Sequence, residues 1–236
     1  MTNAITRAPF EYDLFSPEVQ EDPYAVYAHL LAQGPVYYNE RRDFYALARF
    51  DDVEAALRDW QGFSSSAGVR PDDLLQLQGP SIIAMVPPRH RQLRQVVQPA
   101  FHPAQVARLE PLVEQKALKL LEGVEHRDEV DIVDAFVKRL PVLVICELMG
   151  VPERDAEMLK HWADEIVECS AVDGTTPESA RAPAKALRDY FIDQLGERRR
   201  RPGEDLISRL VATADSGEPG GLDEAVGMCN LLFEAG

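Results

Sequence analysis

"VPPRHRQLRQVVQPAF", Val86 to Phe101, holds Arg89, His90, Arg91 and Arg94 within six positions and contains no acidic residue, in a chain whose formal net charge is −15. So local an excess of positive charge in an acidic protein asks for an anionic partner. Residues four apart on a helix share a face, so His90 and Arg94 project together while Arg91 and Gln95 form a neighbouring row. A guanidinium can take a carboxylate bidentately, and an imidazole adds a further donor beside it. Pro87 and Pro88 suit a helix start, where free N–H groups and the positive dipole end also favour an anion. By itself H-x-x-x-R carries little, because solvated helix faces produce that spacing often. The surrounding letters decide.

Outward from this stretch the chain reads as mainly helical. Seventeen prolines fall for the most part where a helix begins or has just ended. In "DPYAVYAHLLAQG" Asp22 can cap, Pro23 suits the first helical position, Val26, Leu30 and Leu31 form an apolar stripe and Gly34 can close the helix. "VYYNERRDFYALARF" has β-branched and aromatic residues on both sides of a polar turn at Glu40 to Asp43, which predicts a hairpin. "DDVEAALRDW" returns to helix, with Val53, Leu57 and Trp60 on one side. Residues from about 61 to 86 lose periodicity yet carry Leu74, Leu75, Leu77, Ile82, Ile83 and Met85. A long apolar-loaded loop inside a compact domain points to function. Helices resume from about Pro88, as a pair opened by Pro103 and Pro111, and as "VDAFVKRLPVLVICELMGVP", kinked at Pro141 and capped by Gly150. "ERDAEMLKHWADEIVECS", "PESARAPAKALRDYFIDQLGERRRRPG", "EDLISRLVATA" and "GLDEAVGMCNLLFEAG" complete the set. The expectation is one mainly α domain with a small β-sheet (α+β), spanning residues 1–236.

Composition narrows the function classes. At 236 residues and 45% hydrophobic, the chain can bury a large core, and no window approaches the roughly 18 apolar residues of a membrane span. With no export signature at the N-terminus, the protein is expected in the cytoplasm, with neither membrane nor nucleic acid as partner. Cys146, Cys169 and Cys229 are odd in number and never paired as C-x-x-C, which predicts neither a disulfide framework nor a zinc site. His29, His102, His126 and His161 lack any metal-ligand spacing, and G-x-G-x-x-G, G-x-x-x-x-G-K and G-x-S-x-G are absent. Arg198 to Arg201 read as a solvated run opposing a helix C-terminal dipole.

The extended stretch "VPPRHRQLRQVVQPAFHPAQVARLEP" resembles the C-helix region of a bacterial cytochrome P450, a haem-thiolate monooxygenase. The match is a Pro-Pro helix start, a His and an Arg four apart, then Ala-Phe and a Pro two residues on. "DPYAVYAHLLAQGPVYY" is similar to the first helix and strand of that family, "LPVLVICELMGVP" to its E helix, "EDLISRLV" to its H helix and "NLLFEAG" to the first half of its I helix. The resemblance implies the N-terminal part of the P450 fold, haem b as cofactor, and His90 and Arg94 as the residues that hold the haem propionates. It implies that Ala235 and Gly236 border the oxygen site, and that Ile82, Ile83 and Leu231 line an apolar substrate pocket with Glu234 facing an amine or hydroxyl on the substrate. The loop from Ser64 to Met85 and the joint from Cys169 to Pro177 would flank that pocket. A ferredoxin-type electron donor would dock where Arg89 and Arg91 stand. Val86 and Arg89 depart from the usual Asp before and Glu after the prolines, and Val86 cannot cap the helix.

The resemblance also implies that the axial Cys ligand lies beyond Gly236, so no metal ligand is assigned to this chain and all three cysteines are read as small buried apolar residues. The resulting expectation is the N-terminal portion of a haem-dependent monooxygenase that inserts one atom of dioxygen into an apolar small molecule, a portion not expected to be active alone. The competing reading is a non-catalytic helical ligand-binding or regulatory module whose cations hold some other acidic ligand.

Overall fold

The computed structural model describes residues 10–69, 79–168, 176–215 and 221–235. Leu74, Leu75, Leu77, Cys169 and Gly236, all singled out in the sequence, lie outside the described residues. The chain divides into two compact units, Met1–Ser64 and Ser65–Gly236.

The first unit holds α1 (Pro17–Glu21), α2 (Tyr24–Gln33), the strands β1 (Val36–Asn39) and β2 (Phe44–Leu47), and α3 (Phe50–Arg58). β1 and β2 pair antiparallel with Val36 opposite Leu47 and Asn39 opposite Phe44, so the hairpin forms where the aromatic and β-branched runs predict it. Tyr38 and Tyr45, directly opposite, stack at 4.6 Å between ring centroids. Asn39 is buried and ties the hairpin to the preceding segment: its side-chain amide donates to the Tyr12 carbonyl at 2.8 Å and its oxygen accepts the Arg42 N–H at 2.8 Å. Asp13 lies between Arg41 and Arg42, with Arg42 Nε at 2.7 Å. Pro23 is the cap residue of α2 rather than its first helical residue, and Asp22 accepts the Tyr24 N–H at 3.3 Å. The expected apolar stripes fall short of burial. Leu30 is buried, but Leu31, Leu57 and Trp60 are exposed. Periodicity specifies which face of a helix is apolar, not what covers it.

Among the described residues, the second unit is all helical. Its α-helices are α4 (Arg89–Val97), α5 (Pro103–Glu122), α6 (Arg139–Met149), α7 (Ala156–Val167), α8 (Glu178–Arg200), α9 (Leu206–Asp215) and α10 (Leu222–Ala235). Short 3-10 turns at Ile82–Ala84, Gln98–Phe101 and Glu153–Asp155 and a π turn at Val133–Val137 join them. α8 buries Ala180, Ala184, Leu187, Phe191 and Leu195 along one stripe. That stripe packs on α7, α9 and α10, and Phe191 meets Phe233 of α10 at 6.1 Å. α10 is buried nearly all round its middle turns, from Ala225 to Asn230, as befits the helix at the centre of the core.

Two proline readings are corrected. Pro103 and Pro111 do not open separate helices; α5 runs through Pro111. Pro111 removes a single i to i−4 bond, to Ala107, and both residues are exposed so that water can take up the freed carbonyl. Pro141 does not kink its helix either. It is the third residue of α6, among the first N–H positions that have no intrahelical acceptor, and the break falls earlier, at the π turn. Gly150 ends α6 as expected, in the left-handed region at φ 79°, with its N–H on the Glu147 carbonyl at 3.1 Å and the Val151 N–H on the Cys146 carbonyl at 2.7 Å.

Candidate functional site: the cation row of α4

α4 starts after Pro88 and buries Leu93 and Val97 against the core, which fixes its rotation. With those two residues inward, His90 is half-buried and Arg94 is exposed, one turn apart. Arg91 and Gln95, the second row, are both exposed. The His90 N–H donates to the Val86 carbonyl at 3.1 Å, so one of the free amides expected at this helix start is already engaged.

The cations of α4 fare differently. Arg89 is held by Glu224 in the first turn of α10: its Nε donates to Oε1 at 2.7 Å and a second guanidinium N–H donates to Oε2. Its guanidinium is thus committed to an internal bidentate pair, with side-chain exposures of 33% and 14%. Among the described residues, neither His90 nor Arg94 makes a side-chain hydrogen bond or ion pair, and the first turn of α4 holds no acid. A fork and a ring nitrogen on one face without a protein carboxylate form a donor set suited to the carboxylates of a bound group. Haem propionates fit it.

The remaining site candidates divide between two elements in contact. Ile82 and Ile83 belong to the 3-10 turn that packs against α10; Ile82 is half-buried on the core and Ile83 is exposed. Leu231 and Glu234 are half-buried on α10, and Ala235 is exposed at its end. Cys146 and Cys229 are buried and free, as small apolar core residues are.

Sequence reasoning missed what positions this segment. Gly227 of α10 lies under the Pro80 carbonyl, whose oxygen would stand 2.0 Å from a Cβ at that position. Arg188 of α8 pairs with Asp223 at 2.8 Å and passes against Gly79, where a Cβ would meet its Nη1 at 2.4 Å. An isolated Gly within the helical pattern of "LDEAVGMCN" was the available signal for a close backbone approach. Of the arginine run, Arg199 to Arg201 are exposed as expected, but Arg198 is not a solvated cation. Arg198 donates to the Gly150 carbonyl and, at 2.8 Å, to Asp205, while Arg199 pairs with Asp215 at 2.9 Å.

A separate cleft of about 610 Å³ lies between α5, the π turn and α6, lined by Lys116, Lys119, Arg127, Asp134, Arg139 and Glu153 among others. Several of its charges are engaged, in part by residues outside the lining, as Arg139 is by Glu157 at 2.6 Å. Hydrogen bonds from Lys116 and Lys119 hold the Glu153 carboxyl below the usual carboxylate range, and Lys138 pairs with Asp134 at 2.8 Å.

No protein-family model matches the chain. Individual relatives do. It is 32% identical over 234 residues to cytochrome P450 109 of Bacillus spizizenii, covering 95% of this chain and 55% of that protein. It is 32% identical over 232 residues to putative cytochrome P450 123 of Mycobacterium bovis, covering 97% and 56%. Among solved structures, CYP109E1 from Bacillus megaterium, in complex with testosterone, superposes with a TM-score of 0.78 at 29% identity over 93% of this chain and 58% of that one. The chain therefore spans about half the length of the curated relatives it matches. Among the described residues, the mainly helical architecture with one small antiparallel sheet matches that of the P450 structures it superposes on. In sequence and fold the chain belongs to the cytochrome P450 family.

Proposed function

We propose that this chain is the haem-seating and substrate-facing part of a cytoplasmic, bacterial-type P450 monooxygenase, with His90 and Arg94 holding the two haem propionates. The observation that carries the reading is the contrast on α4: Arg89 is neutralised by Glu224, whereas His90 and Arg94, on one face, have no partner among the described residues. Haem, when bound, supplies the iron at which dioxygen is activated. The chain's own contribution is to hold and orient that group and to build one side of an apolar chamber. Ile82, Ile83 and Leu231 supply apolar surface whose desolvation favours a small organic substrate. Glu234 engages an amine or hydroxyl on it, and Ala235 and Gly236 border the oxygen site. Electrons come from a ferredoxin-type donor, and with Arg89 engaged internally, exposed Arg91 is the docking cation. Relatives align across residues of both units, which supports reading residues 1–236 as parts of one domain.

The test is spectroscopic. The protein purified from its source shows a Soret band and, reduced under carbon monoxide, a thiolate-type spectrum; absence of both defeats the reading. Arg94→Ala and His90→Ala each weaken haem retention by about tenfold or more, as loss of a charge-assisted hydrogen bond does. Unchanged retention in both would remove the assignment of the propionate donors. Unchanged substrate affinity in Glu234→Gln would remove the role given to Glu234.

A further inference from the structure

Glu224 sits in the first turn of α10, far in sequence from Arg89 yet bonded to both sides of its guanidinium fork. Its Oε2 also accepts the Gly221 N–H at 3.1 Å, so the carboxylate is anchored to the start of its own helix. Along the same two turns of α10, Gly227 receives the Pro80 carbonyl, and Asp223 holds Arg188 against Gly79. Three contacts thus fasten the segment from Gly79 to Arg89 onto the first half of α10, two at the segment's start, through Gly79 and Pro80, and one at its end, through Arg89. Ile82 and Ile83 lie between the fastened points, and His90 follows the last of them immediately. A core helix that fixes a connecting segment at three points sets both where that segment runs and how the next helix is rotated.

We propose that Glu224 is a positioning residue for the α4 cation row: through Arg89 it fixes the first turn of α4 on α10, and so sets where His90 and Arg94 are presented. This rests on the assignment of those two residues to an anionic cofactor. Glu224 touches neither cofactor nor substrate. It acts through the fork geometry of Arg89, which a carboxylate engages with two charge-assisted hydrogen bonds and a neutral amide cannot match. Outer partners of this kind orient the residues that contact a bound group, and their loss commonly costs about 10- to 100-fold in affinity.

The test uses the full chain as its source makes it, in the haem-free and haem-loaded forms. Two readouts are taken: hemin affinity by Soret titration, and amide hydrogen exchange resolved to α4 in the haem-free protein. Glu224→Gln keeps the size of the side chain and the acceptor for the Gly221 N–H, but removes the charge. It lowers hemin affinity by about tenfold and speeds α4 exchange by a similar factor, with exchange in α8 unchanged. The exchanged pair Arg89→Glu with Glu224→Arg recovers both to within about threefold, as a pairwise interaction predicts. Should Glu224→Gln fail to fold, Arg89→Gln, which leaves Glu224 on the Gly221 N–H, is read in its place. Unchanged affinity and unchanged α4 exchange overturn the proposal, and so does a loss that the exchanged pair fails to recover. If the unaltered protein takes up no hemin, the cofactor reading fails, and the exchange of α4 still decides whether Glu224 positions that helix.

Discussion

Arg198 of α8 and Asp205 form an ion pair, Nε to Oδ2 at 2.8 Å, in which each side chain is only 16% exposed. The same guanidinium donates to the carbonyl of Gly150, where α6 ends, and the other oxygen of Asp205 accepts the Ser208 N–H at 2.8 Å at the start of α9. One arginine therefore joins three helix ends, two of which would otherwise leave backbone groups without partners. Removing it strands a carboxylate that is mostly withdrawn from water. Arg198→Ala lowers stability by about 2 kcal/mol, the usual cost of losing hydrogen bonds to a charged partner. Arg201→Ala, in the same run but exposed, stays within about 0.5 kcal/mol. Urea unfolding midpoints of the two variants check this, and equal midpoints would return the run to a plain solvated face.

Gly227 tests the approach of the loop to α10. In a solvated helix, replacing Gly by Ala gains about 1 kcal/mol of helix propensity. Here the added Cβ would stand 2.0 Å from the Pro80 oxygen, a backbone atom that yields only if the whole segment moves. Overpacking of this kind costs about 1–3 kcal/mol. Gly227→Ala thus lowers the thermal midpoint, and its amide spectrum shifts most around residues 79–86. A higher midpoint would mean that the segment is not seated as described.

Much of this was legible from local chemistry. Gly150, the Glu40 to Asp43 turn and the Pro88 helix start each carry a residue type whose backbone preference names its structure. His90 and Arg94 were legible as a pair because helix geometry alone puts them on one face. Arg89 was not: its fate depends on Glu224, and nothing local announces a contact across so great a sequence separation. Arg198 was missed for the same reason, its partners being one helix end behind and one ahead. The errors at Pro111 and Pro141 came from treating proline as a breaker wherever it falls. What decides is whether the lost N–H had an acceptor and whether the freed carbonyl reaches water. The exposed stripe of α3 shows the other limit, since a pattern identifies an apolar face but not its cover.

Asp13 predicts an acid-sensitive hairpin. Burial pushes its carboxyl upward, but hydrogen bonds from Arg42, the Phe15 N–H and Arg41 outweigh that and hold it below its ordinary value of 3.8. A group whose pKa is depressed by folding stabilises the fold fully above its unfolded value, and that contribution fades as pH falls toward the folded one. The first unit therefore loses stability below about pH 3.8 through this residue. Asp13→Asn is less stable than the unaltered protein at pH 7, and the two converge in acid. Carboxyl titration by NMR checks the direction, and an Asp13 pKa at or above the ordinary value would contradict it.

Cys146 and Cys229 give the last prediction, because burial sets both their reactivity and their share of alkaline stability. They are 1% and 0% exposed. Burial pushes the Cys146 thiol up to about 11, with Asp155 and Glu153 adding to it against the opposing charge of Lys116. Cys229, fully enclosed, is raised further by burial and by Asp205. The nucleophile is the thiolate, so at pH 8 both side chains are protonated as well as inaccessible. Iodoacetamide in native buffer leaves both unlabelled over a time in which urea-unfolded protein reacts completely, as read by peptide mapping. The stability these thiols lend is whole below the ordinary value of 9.0 and declines as pH rises toward about 11, since only the unfolded chain ionises them readily in that interval. Cys146→Ala flattens part of that alkaline decline. Labelling of Cys146 at the unfolded rate, or an unchanged alkaline slope in the variant, would show that the thiol is not enclosed by α6 and its neighbours as the fold requires.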